Sequence, residues 1–137
     1  MTEVPVGTPT SQNEAILGTD RDCPTFLTNY TGKTITVNEI RHMFKGKPTS
    51  TKTDFSLDNH QRVAVFTSYY ETGAGTSFDY WYIDFTDGED TYTVPSNFYC
   101  SLTKFDEGMN VELSFDLELF YVNPPQSSSC RKTLDKS

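Results

Sequence analysis

From Val111 to Tyr121 the chain alternates. Val111, Leu113, Phe115, Leu117, Leu119 and Tyr121 are apolar, and Glu112, Ser114, Asp116 and Glu118 stand between them. Residues two apart share a face only in an extended backbone. The segment is therefore expected to form one long strand, with one face in a core and one in water. A strand of that kind needs partners, which makes the chain a sheet protein before any other residue is read.

The rest of the sequence agrees. The chain has 137 residues, one domain's worth, and it carries 10 Phe, 8 Tyr and a single Trp. Such a bias favours pleated sheet over helix. Turn signals recur along it. Thr31-Gly32-Lys33 precedes a strand over Thr34–Phe44, whose apolar phase slips near Asn38-Glu39 and predicts a β-bulge there. Gly46-Lys47-Pro48 is a turn, and Phe55 and Leu57 make a short strand. Arg62–Tyr70 is a strong strand. Ser77–Phe85 is aromatic or apolar on both faces, as suits a strand covered on both sides. Asp87-Gly88 then marks a hairpin. Asp90–Val94, Phe98–Leu102 and Val111–Val122 complete the set, with a turn at Asp106-Glu107-Gly108. Short strands at this spacing predict an all-β fold, an antiparallel β-sandwich of about 7–9 strands in two sheets. The expected core contains Val63, Val65, Trp81, Ile83, Phe98, Leu102, Val111, Leu113, Phe115, Leu117 and Leu119. Residues 1–22, polar and with Pro5 and Pro9, read as an arm; 23–123 as the single domain; 124–137, opening on Pro124-Pro125, as a tail able to wrap back onto a sheet.

The formal net charge of −8 argues against a nucleic-acid partner, because phosphate binding needs clustered cations. The charge is also segregated. Eleven carboxylates and one cation, Lys104, lie between Glu71 and Glu118, whereas Arg41, Lys45, Lys47 and Lys52 form a basic segment without acids. Of three cysteines, Cys100 sits in an apolar run and reads as a buried free thiol. Cys23 and Cys130 flank the core and pair only if the ends meet. No apolar run approaches the roughly 18 residues that span a bilayer, and Met1–Asn13 lacks the pattern of a secretory leader. The expectation is a cytoplasmic protein, or a secreted one if a leader has been removed. Asn29-Tyr30-Thr31 matches a glycosylation sequon, which matters only in a secreted protein.

Residues that carry chemistry are sparse. A nucleophilic triad or a zinc site needs histidine, and only His42 and His60 are present, outside any catalytic or ligand spacing. His42 follows the core phase of its strand and reads as a packed histidine. No pair of carboxylates is singled out as a glycosidase pair. The expectation is therefore a protein that is not an enzyme. Asp84, Asp87, Glu89 and Asp90 at one hairpin, with Asp106 and Glu107 in a second turn, make a candidate Ca²⁺ site if a meander brings both turns to one end. The plainer reading is turn formers with solvated charge. Tyr69, Tyr70, Phe78 and Asp79 bracket a glycine-containing loop. Rings beside a carboxylate there are candidates for stacking on a sugar or sitting at lipid-headgroup level.

Asn29-x-Thr31-Gly32-Lys33-x-Ile35-x-Val37, followed by Gly73-x-Gly75-Thr76-x-Phe78-Asp79, resembles the aegerolysins, small acidic β-sandwich proteins of fungi and bacteria. The resemblance covers Thr28–Val94. It implies a β-sandwich that recognises membrane lipids. The W-D-C-P-W segment of that family is absent, its nearest counterpart being Tyr99-Cys100, so no lipid-binding residue is carried over. The sequence favours a non-catalytic binding protein of lectin or lipid-recognition type, with a glycan or lipid headgroup as ligand. The alternatives are a structural, storage or self-associating protein, here a homo-oligomer, and a Ca²⁺-binding module.

Overall fold

The computed structural model describes residues 21–44, 47–72 and 78–137, and only the backbone at 47–49. Ten strands are present among them: β1 (Arg21–Asn29), β2 (Ile35–Phe44), β3 (Lys47–Leu57), β4 (Arg62–Tyr70), β5 (Asp79–Thr86), β6 (Thr91–Thr93), β7 (Val111–Phe115), β8 (Leu119–Asn123), β9 (Cys130–Thr133) and β10 (Asp135–Lys136). They form two five-stranded sheets, β4-β1-β7-β8-β9 and β10-β6-β5-β2-β3. All neighbours run antiparallel except β1 and β7, which are parallel. The protein is thus an all-β sandwich. Among the described residues no helix is long and apolar enough to cross a membrane.

Alternation along the strands builds the core. Trp81, Ile83 and Phe85 of β5 point inward, as do Val111, Leu113 and Phe115 of β7. Phe85 meets Phe115 across the sandwich with ring centroids 4.4 Å apart, tying one sheet to the other. The expected bulge is present: the pairing of β2 with β5 slips between Val37 and Glu39. β4 has the bounds read from the sequence. It carries a second bulge, where the register shifts between Thr25 and Phe26 of β1 and leaves Val65 and Phe66 both buried. Asp87-Gly88 does make the β5–β6 hairpin, with Gly88 at φ +99°.

Several expectations are corrected. Val111–Tyr121 is two strands, because Asp116 folds the chain back. Its carboxylate Oδ1 accepts the N–H groups of Glu118 (2.8 Å) and Leu119 (2.7 Å), and its own N–H donates to Leu119 O (3.0 Å). An Asx turn of this kind reverses the backbone within three residues. Leu117 and Leu119 are consequently only half-buried, and the core positions after the turn are Phe120 and Val122. Val63 is also half-buried. β5 is covered on one face only, since each sheet has a partner on one side. Phe98–Leu102 keeps a single bridge, Tyr80 to Tyr99, rather than a full strand. β3 is an eleven-residue strand at the edge of its sheet, where a short one was expected around Phe55 and Leu57. Residues 124–137 add β9 to one sheet and β10 to the other. Residues 1–20 lie outside the described residues, and Arg21 and Asp22 open β1.

Cys100 is not a free thiol. It is disulfide-bonded to Cys130 with Cα atoms 5.8 Å apart. Cys23 is the free cysteine, sealed in the core, where burial above all pushes its thiol up to about 12. The sequon asparagine is structural. Asn29 is buried and its amide nitrogen donates to Lys33 O (2.7 Å) and Leu57 O (2.9 Å), pinning the β1–β2 loop.

Candidate functional site

Of the four ring and acid residues proposed from sequence, three are internal. Tyr70 is fully buried, and its hydroxyl donates to Thr103 O at 2.8 Å. Tyr69 is buried beside it. Asp79 faces inward at the first position of β5, where its Oδ1 lies 2.6 Å from His42 Nε2 and its Oδ2 accepts the N–H of Leu102 at 2.8 Å. His42 packs on Trp81 at 4.6 Å, as a core histidine should. Phe78 alone of the four reaches the surface. The glycine-containing loop between Tyr70 and Phe78 falls outside the described residues over 73–77.

The open aromatic surface lies one residue out of phase with those candidates, on the outward face of β5. Tyr80 and Tyr82 point there because Trp81 and Ile83 point in. Cross-strand register sets their neighbours. Met43 of β2 stands opposite Tyr80, and Arg41 stands opposite Tyr82. On the other flank the chain after β6 kinks at Asn97, held at φ +67°, then returns alongside β5. Trp81 N–H donates to Phe98 O (3.0 Å) and Cys100 N–H donates to Asp79 O (2.9 Å). This brings Tyr99 beside Tyr80. Phe78, Tyr80 and Tyr99 form a mutual cluster with centroids 4.9–6.4 Å apart. The result is a concavity of about 500 Å³ across β2, β5 and the connection after β6, lined by Arg41, Met43, Phe78, Tyr80, Tyr82, Ser96 and Asn97. Tyr99 on its rim is 54% exposed and Phe78 37%.

Arg41 supplies the charge of this trough. Its guanidinium lies over the Tyr82 ring at 4.4 Å, and Nη1 donates to Glu39 Oε2 at 2.9 Å. Its Nε is buried without a hydrogen-bond partner among the described residues. A buried donor left unpaired costs about 1–3 kcal/mol. Burial, and then the neighbouring Asp84 carboxylate, push the Tyr82 phenol up.

The acidic residues do not assemble into one site. Glu107 pairs with Arg21 (2.7 Å), the first residue of β1. Asp87 pairs with Lys33 (3.0 Å), just past the other end of β1. A nine-residue strand separates them, roughly 25 Å at ~3.3 Å per residue. The two turns therefore sit at opposite ends of the sandwich. Asp106 is fully buried, and its carboxylate accepts from Thr103 N–H (2.7 Å), Gln126 N–H (2.7 Å) and the Ser127 hydroxyl (2.5 Å). Asp84 accepts from Asn38 Nδ2 (2.9 Å) and the Tyr82 hydroxyl (3.3 Å). Asp87, Glu89 and Asp90 do converge, with one oxygen from each within 4.8 Å of the others. Asp87 is already engaged, however. The N–H groups of Asp90 and Glu89, then Lys33, hold its carboxyl well below the usual carboxylate range.

The chain matches no protein-family model and no curated protein.

Chemically the trough offers π-faces, a thioether, two small polar side chains and one guanidinium. Among these described groups none is a nucleophile beside a base. The His42–Asp79 pair is buried beneath the sheet. Sequence reasoning missed Tyr99 and Tyr80, and it named Arg41 only as part of a basic segment. Tyr99 was assigned to a core strand through Phe98 and Leu102, and the signal that betrays it is the Pro95-Ser96-Asn97 turn.

Proposed function

We propose that this protein is a non-catalytic binding protein of lectin type, with a sugar ring as the ligand seated in the trough over Tyr80 and Tyr82. The observation that supports the reading is the open aromatic concavity on the outer face of β5. A sandwich of this kind hides its rings between the sheets, yet here Phe78, Tyr80 and Tyr82 line a surface hollow of ligand size. Aromatic faces cover the apolar face of a pyranose, and Ser96, Asn97 and Arg41 meet its hydroxyl groups.

A glycan array followed by titration tests this. Binding of a glycan class is expected, with Tyr99→Ala weakening it about tenfold, the equivalent of ~1.4 kcal/mol, at an unchanged melting temperature because the ring is exposed. Silence of the wild-type protein across the array overturns the reading.

A lipid-directed reading has one observation of its own. Phe105 is 67% exposed, and Met109 stands beside it in the turn that Asp106 holds rigid. An interfacial aromatic on a firm turn is suited to a bilayer surface. Liposome pelleting that is lost in Phe105→Ser favours this route. The Cys100–Cys130 disulfide supports passage through an oxidising compartment, against the cytoplasmic expectation.

A further inference from the structure

We infer that the ligand of the trough is an acidic sugar, a pyranose ring bearing one carboxylate, with the carboxylate held on the Nε edge of Arg41. The inference rests on the lectin reading and deepens it. Three observations on Arg41 lead to it. The guanidinium carbon rests over the Tyr82 ring, 4.4 Å from its centroid. Glu39 takes Nη1 and leaves the Nε edge. Nε has no acceptor among the described residues. A guanidinium presents its donors as a planar fork, and a carboxylate is the acceptor whose two coplanar oxygens match it.

The charge count favours a monoanion. Glu39 already balances part of the Arg41 charge, and Asp84 lies next to Tyr82. With Arg41 set against Glu39 and Asp84, each further negative charge on the ligand adds repulsion, so a single carboxylate is tolerated better than a dianionic phosphate. The overall charge of −8 does not forbid it. Asp58, Asp87, Glu89, Asp90, Asp116 and Glu118 lie in turns at the far end of the sandwich, beyond a Debye length of about 8 Å at physiological salt. Nε is shielded in the free protein, and the Arg41 side chain is 27% exposed. Seating a carboxylate oxygen therefore moves the guanidinium toward the ligand and gives Nε the bond it lacks. Tyr80 and Tyr82 then take the ring face, and Asn97 and Ser96 lie on the hydroxyl side.

The test is a glycan array scored by acid content, then titration of the strongest acidic hit against its neutral counterpart of the same linkage, for example a glucuronic-acid oligosaccharide against the glucose one. The acidic sugar is expected to bind roughly tenfold tighter, and the margin is expected to shrink between about 50 and about 300 mM NaCl. Arg41→Gln is expected to bring the acidic and the neutral sugar to equal affinity. Arg41→Lys, which keeps the charge and loses the fork, is expected to restore only part of the preference. Near-ultraviolet circular dichroism of both variants confirms that the tyrosine packing is kept. Equal wild-type affinity for the two sugars, or a preference untouched in Arg41→Gln, overturns the acidic-sugar inference and leaves the lectin reading standing. Binding of neither class overturns both.

Discussion

Asp87 and Asp106 are the same residue type put to different uses by the donors around them. Asp106 is enclosed, and its oxygens are consumed by donors from two loops, so it joins the turn at 104–106 to the segment leading into β9. Asp87 caps the β5–β6 hairpin. One oxygen holds two backbone N–H groups and the other holds Lys33. The backbone donors come first and Lys33 second in lowering its pKa. The sign of the pH dependence follows. The folded-state value lies below the unfolded value of about 3.9, so the contribution is complete above the unfolded value. It is lost as pH falls through the folded one. Asp87→Asn keeps an amide oxygen for the hairpin and loses the charge. The variant is expected to unfold at a lower denaturant midpoint than the wild type from about pH 5 upward, and the gap is expected to close below about pH 4. Urea melts of the two proteins across that range are the check. A gap that persists undiminished in strong acid would show that the carboxylate's charge has no part in it.

At the scale of elements, local chemistry decided which readings survived. β4 and the Asn38 bulge were legible because a period-2 pattern and its slip are written in consecutive side chains. The hairpin at 116–118 was not, because Leu117 and Leu119 prolong the alternation straight through the turn. Only Asp116, an Asx-turn former in mid-pattern, betrays it. The trough was half legible. The aromatic density around Phe78–Tyr82 marks β5, the strand that carries the trough, yet a strand with rings at both odd and even positions does not say which face is covered. Tyr80 and Tyr82 are outward because the second sheet lies on the Trp81 side, and that is a tertiary fact. The disulfide was invisible for a related reason: three cysteines allow three pairings, and spacing does not choose among them. Its effect is calculable. Cys100 and Cys130 close a loop of 30 residues, worth about 3.5 kcal/mol of chain entropy. Cys130→Ser is expected to lower the melting temperature by roughly 10 °C for a chain of this length. It is also expected to speed hydrogen exchange at the backbone amides of β9, an edge strand held at its first residue by that bond. Unchanged exchange in β9 would mean that its ladder with β8 suffices alone.

The whole molecule has two unlike ends. One carries Phe78, Tyr99, Phe105 and Met109, the exposed rings and thioether around the start of β5 and the turn at 104–106. The other gathers acids from three connections: Asp58 after β3, the Asp87–Asp90 hairpin, and Asp116 and Glu118 between β7 and β8. Parallel pairing of β1 with β7 and antiparallel pairing of β2 with β3 and β5 bring those turns to one end. Lys33 and Lys136 answer only part of that charge. Like charges so placed repel, and screening relieves them. Raising NaCl from about 20 to about 500 mM is therefore expected to raise the melting temperature. Calcium makes this informative. A bound ion would stabilise by mass action, beyond any effect of ionic strength. Because Asp87 already spends both oxygens on the hairpin and Lys33, CaCl₂ at matched ionic strength is expected to give the same shift as NaCl. In Asp87→Asn, with one acid fewer in the repelling set, the salt-induced rise is expected to be smaller. A larger shift in calcium, reversed by chelation and lost in Glu89→Gln, would instead assign Asp87, Glu89 and Asp90 as ligands.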